Sequence, residues 1–75
     1  MEKLYKTKDL AFAGVLLTLG IKLNSTRKES DICWFLFNNR NLCEELYRKY
    51  YFDDLAINAR KYQDNLKLLK ILIYS

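Results

Sequence analysis

The 75-residue sequence has no histidine and no proline, only two glycines and only two cysteines. Without histidine it lacks the one side chain that titrates between pH 5 and 8 unassisted. The usual general base, the usual metal nitrogen and the orienting member of a catalytic triad are therefore all missing. Scarce glycine and proline, together with 51% hydrophobic residues, argue against disorder and for a compact fold. Cys33 and Cys43 form no C-x-x-C pair, which excludes the common zinc patterns. Both lie in apolar or amphipathic runs and read as small buried hydrophobes in a reducing cytosol rather than as a disulfide.

Long hydrophobic runs are missing too. The longest, Leu10 to Ile21, is about half the length of a spanning helix. Lys3, Lys6 and Lys8 precede it as a signal n-region would, but Asp9 adjoins it and no A-x-A-like cleavage pattern follows. The run reads as a buried helix, and the expected location is cytoplasmic, with no membrane partner.

Thirteen cationic and nine anionic residues leave a net charge of +4, interleaved along the chain without a basic arm. Nucleic-acid domains more often concentrate their charge in a stripe. The length suits one domain, residues 1–75, whose core is small enough that oligomerisation is a common supplement.

Lys3 to Lys6 reads as a short strand, with Thr7 as N-cap of a helix from about Lys8 to Leu19 and Gly20 as its left-handed C′ residue. Ile21 then packs back on Leu16. This helix is apolar nearly all round, as a central helix is. Its separate stripe of small residues, Ala11, Gly14 and Thr18, either faces water or lets another backbone approach. Ile21, Leu23 and Ser25 alternate with Lys22, Asn24 and Thr26 as a strand does, and Arg27 to Asp31 reads as the turn of a hairpin.

The return strand, Ile32 to Phe37, sets Ile32, Trp34 and Leu36 against Cys33, Phe35 and Phe37, apolar on both faces. Either it is covered on both sides or one face is left for a partner. Asn38, Asn39 and Asn41 offer caps for a helix from about Arg40 to Tyr51 with Leu42, Cys43, Leu46, Tyr47 and Tyr50 on its core side. Glu44–Arg48 and Glu45–Lys49 are spaced as i,i+4 pairs on a solvated side. Asp53 to Ile57 connects this helix to a last one, about Ala59 to Ile73, capped by Asn58 and packed through Tyr62, Leu66, Leu69 and Ile73. The fold class is α+β: a small antiparallel hairpin sheet packed with three helices, in the order β-α-β-β-α-α.

Nothing here is arranged for catalysis. Glu44 and Glu45 point about 100° apart on a helix. Asp53 and Asp54 could supply oxygen to a divalent cation, but two acids without a third read better as a turn. No nucleophile elbow, P-loop or dinucleotide glycine pattern occurs. No enzyme activity, cofactor, metal or small-molecule substrate is expected. Four apolar residues are instead out of place. Tyr51 and Phe52 lie off the core stripe, and Leu68 and Ile71 fall among Arg60, Asp64 and Lys67. They either meet an unforeseen part of the fold or form a contact surface for a protein partner or a second copy. The alternative is a nucleic-acid-binding accessory protein in which Lys22, Arg27 and Lys28 meet phosphates near the hairpin tip and Trp34, Phe35 and Phe37 stack on bases if one sheet face is open, although such aromatics read first as core.

Tyr5-Lys6-Thr7-Lys8-Asp9-Leu10, the helix ending Leu19-Gly20-Ile21-Lys22-Leu23, the strand Cys33-Trp34-Phe35-Leu36-Phe37, and Leu68-Leu69-Lys70 with Tyr74-Ser75 together carry a resemblance. The chain resembles, over nearly its whole length, a family of short bacterial and phage proteins that bears only a domain-of-unknown-function label. The resemblance implies a small cytosolic product of a phage or mobile element, a setting in which binders that modulate a host factor are frequent.

Overall fold

The structure, a computed structural model, describes residues 3–52 and 55–74. Its elements run β1 (Tyr5–Thr7), α1 (Leu10–Thr18), β2 (Leu23–Glu29), β3 (Ile32–Phe37), α2 (Arg40–Tyr51) and α3 (Ala59–Ile73). The three strands form one antiparallel sheet in the order β1-β3-β2, so the fold is α+β in the expected order. Asp53 and Asp54, read above as a turn, lie outside the described residues. No helix among the described residues is long and apolar enough to cross a membrane.

The entry to α1 differs from the sequence reading. Thr7 is not the cap: it ends β1 opposite Phe35 and is buried. Its Oγ1 accepts from the Asp9 amide at 3.2 Å, and Asp9 caps the helix by accepting from the Phe12 amide at 3.2 Å. A carboxylate satisfies an orphan amide as a hydroxyl does and also meets the positive helix end. The exit is as read. Gly20 has φ +91°, its amide donates to Leu17 O, and the Ile21 amide donates to Leu16 O. That is the Schellman pattern, in which a left-handed residue is needed.

Gly14 and Thr18 of the small stripe face α3. A Cβ on Gly14 would stand 2.9 Å from Leu66 Cδ2 and 3.1 Å from Tyr62 Cε1, so the missing side chain sets the spacing of α1 and α3. Thr18 donates to Gly14 O at 2.7 Å and accepts from Asn65 Nδ2 at 3.1 Å, joining the two helices. With Phe12, Ala13, Val15 and Leu16 buried on the same nine-residue helix, α1 is the centre of the molecule. Tyr5, Tyr47 and Tyr50 pack around the Phe12 ring, Tyr47 edge-on at 5.1 Å.

The hairpin loop is only Ser30 and Asp31, and Arg27, Lys28 and Glu29 belong to β2 rather than to a turn. A register shift between Leu23 and Ser25 also breaks the expected alternation: Leu23 pairs with Phe37 but Ser25 with Leu36, which puts them on opposite faces. One inserted residue, Asn24, has this effect because the side-chain period is two. The helices α2 and α3 have the bounds read from the sequence, with Asn39 Oδ1 accepting from the Leu42 amide and Asn58 Oδ1 from the Lys61 amide. Glu44 is engaged one turn earlier than expected, by Arg40 at 2.9 Å, and the Glu44–Arg48 and Glu45–Lys49 pairs do not close.

Phe35 and Phe37 are buried together with Phe12, Leu16, Cys43 and Leu69. The alternate residues Ile32, Trp34 and Leu36 are outside this core. All three helices thus lie on one face of the sheet, and the other is open.

Candidate interaction surfaces

The inward side of α3 is spent on α1 through Tyr62, Leu66 and Leu69. On its outward side Leu68 is 51% exposed and Ile71 65%. They are three residues apart and therefore adjacent on the helix surface. Tyr74, the C-cap residue, is 86% exposed and extends the same end of the helix. Sequence reading passed over Tyr74 as a surface residue, although its spacing of three from Ile71 was a usable signal.

At the end of α2, Tyr51 and Phe52 are 70% and 75% exposed and touch edge to face at 5.4 Å. Here α2 ends near the start of α3, because Tyr50 and Tyr62 line a common hollow with Val15, Leu55 and Ile57. Leu68 lies six residues beyond Tyr62, or about 9 Å at 1.5 Å per residue.

The three proposed phosphate contacts are also divided. Arg27 pairs with Trp34 and so stands on the open face of the sheet, whereas Lys28 pairs with Cys33 and stands on the helix side. Lys22 is exposed one residue ahead of β2, its carbonyl accepting from the Asn38 amide. The open face carries cations that the sequence did not single out. Lys6 Nζ lies 4.5 Å from the centre of the Trp34 ring and Lys8 Nζ 5.9 Å from it. An exposed contact of this kind contributes about 0.5–1 kcal/mol. Lys6 and Arg27 both approach Glu29, at 3.4 and 3.7 Å.

A shallow groove of about 480 Å³ runs between β1 and α2, lined by Tyr5, Asn41, Glu44, Tyr47 and Arg48. Burial pushes the Tyr5 phenol above its ordinary value, with Tyr47, Cys43, Glu44 and Asp9 adding to the effect. The phenol therefore keeps its proton at neutral pH. Burial likewise raises the Cys43 thiol, which donates to Asn38 O at 3.5 Å. Both cysteines are free. No cluster of three metal-ligating side chains occurs among the described residues.

No curated protein and no solved structure matches the chain. A family described as a domain of unknown function, DUF5659, matches residues 2–75, nearly its whole length. The chain belongs to the DUF5659 family.

Proposed function

We propose that this chain is a small non-catalytic protein-interaction module that self-associates through the outward side of α3. The observation that carries the reading is the exposure of Leu68 and Ile71 together on one helix side whose opposite side is fully used. An apolar pair spaced i,i+3 is symmetric about its own midpoint. A two-fold axis through that point sets Leu68 of one copy on Ile71 of the other, twice, as an isologous interface requires. The small core gives a reason for a second copy, since oligomerisation is one of the common supplements to a core of this size. Tyr51 and Phe52, exposed side by side at the end of α2, offer an aromatic anchor to a different protein. The setting we assign is the cytoplasm of a bacterium, with the chain a phage or mobile-element product acting on a host factor. That setting rests on resemblance, not on a surface of the fold.

Light scattering after size exclusion tests the contact. The chain is expected near twice 9.0 kDa, and Leu68→Glu/Ile71→Glu near 9.0 kDa with its helical circular dichroism retained. A mass of 9.0 kDa for the unaltered chain at every concentration contradicts the reading, as does an unchanged dimer in the variant.

A further inference from the structure

The open face of the sheet is built around one aromatic ring with cations on both sides. β3 is the central strand and Trp34 sits mid-strand. Arg27 is its partner on β2, and continuing the β1 register one residue past Thr7 brings Lys8 across from it on the other side. Lys6, opposite Leu36, reaches over the ring. Among the described residues, Glu29 is the one carboxylate paired with these cations. The face is therefore cationic around a flat apolar centre. It is separate from the outward side of α3 and stands whether or not α3 self-associates.

We infer that this face binds single-stranded nucleic acid, one base stacking on Trp34 and flanking phosphates taken by Lys6, Lys8 and Arg27. The match is in two chemistries at once. A phosphodiester strand brings negative charge at a spacing that suits cations on either side of a sheet about 10 Å across. Its unpaired bases bring the π-faces that an aromatic platform accepts without regard to sequence. Duplex would offer phosphates but keep its bases stacked away from Trp34, and an acidic peptide would satisfy the cations and leave the ring without a partner. Lys6 has to leave the ring for a base to stack. Its exposed cation–π contact is the weaker of the two interactions, and its ammonium moves to a phosphate as it goes.

Trp34 is the only tryptophan, so its own fluorescence reports the event. Titration with oligo(dU) and with oligo(U) at low salt is expected to quench it, and the tighter of the two assigns the sugar. The slope of log affinity against log salt is expected to become shallower by about 0.7 for each of Lys6, Lys8 and Arg27 changed to alanine. Anisotropy of a dye-labelled strand follows the variants that lack the reporter. Trp34→Phe is expected to keep most of the affinity and Trp34→Ala to lose roughly tenfold. Glu29→Gln is expected to tighten binding about two- to fivefold, the scale of one exposed charge, an effect that damage to the fold would not produce. Leu68→Glu/Ile71→Glu should quench as the unaltered chain does, which separates this site from the α3 contact. Absence of quenching by both oligomers, or polyglutamate displacing the strand at equal charge, overturns the inference.

Discussion

The two faces of β3 have similar composition and opposite fates. Phe35 and Phe37 are 1% and 0% exposed beneath the helices, whereas Ile32, Trp34 and Leu36, one residue out of phase, look away from the core. Apolar character therefore did not decide which face is inside. That was decided by where α1 lies, and its position follows from the two tight connections at its ends. On the outer face the ring of Trp34 is shielded instead by lysine side chains, whose stems cover apolar surface while their ammonium groups stay wet. A strand with two apolar faces thus divides its work between cohesion and contact.

The sharpest way to break this comparison is to truncate each face in turn. Phe37→Ala empties a fully buried site and is expected to cost about 3–5 kcal/mol, enough to threaten folding of a chain this small. Trp34→Ala removes cross-strand contacts on the open face and is expected to cost about 1 kcal/mol or less. Urea unfolding followed by circular dichroism measures both, and equal losses would mean that the faces are not distinct.

Alkaline titration sharpens the contrast within the covered side. Cys43 is fully buried, whereas Cys33 is half-buried at the rim, lining a hollow with Lys28 and Ile73. Cys33 is expected to react with a thiol reagent much faster than Cys43. Because burial raises the Cys43 thiol above 9.0 and the Tyr5 phenol above 10.0, the folded chain holds these protons longer than the unfolded one. Their contribution to stability is complete below those values and is lost as pH rises past them. Stability that rises with pH above 9 would contradict the burial assigned to both groups.

The smallest expected effect concerns the loop that keeps the faces in register. Ser30 has φ +54°, a conformation glycine adopts without a side-chain penalty. Ser30→Gly offsets that strain against a more flexible unfolded chain, and the expected change is a gain of about 0.5 kcal/mol in urea unfolding.

Much of the architecture was legible in the chain. The bounds of β3, α2 and α3 follow from a β-rich run and from asparagine caps ahead of regular helical stripes. The end of α1 followed from Gly20. What was not legible has specific causes. Arg27, Lys28 and Glu29 read as a turn because they are polar, yet β2 is a sheet edge whose residues are exposed on both sides. Asn24 gives no compositional sign of the inserted residue that reverses the alternation. Thr7 and Asp9 are both competent caps, and only pairing of Thr7 with Phe35 decides between them. For the surfaces, helical spacing alone set Leu68 and Ile71 apart. The cations around Trp34 were hidden because Lys6 and Arg27 are separated in sequence and meet only across the sheet.

The measurement that tests the open cationic face most directly is quenching of Trp34 fluorescence by iodide and by caesium ions. A half-buried ring at the open face beside Lys6, Lys8 and Arg27 attracts the anion and repels the cation, so iodide should quench more than caesium, with the difference fading as inert salt is added. Weak quenching by both ions would mean that the face is covered, and equal quenching by both would mean that it carries no cationic field.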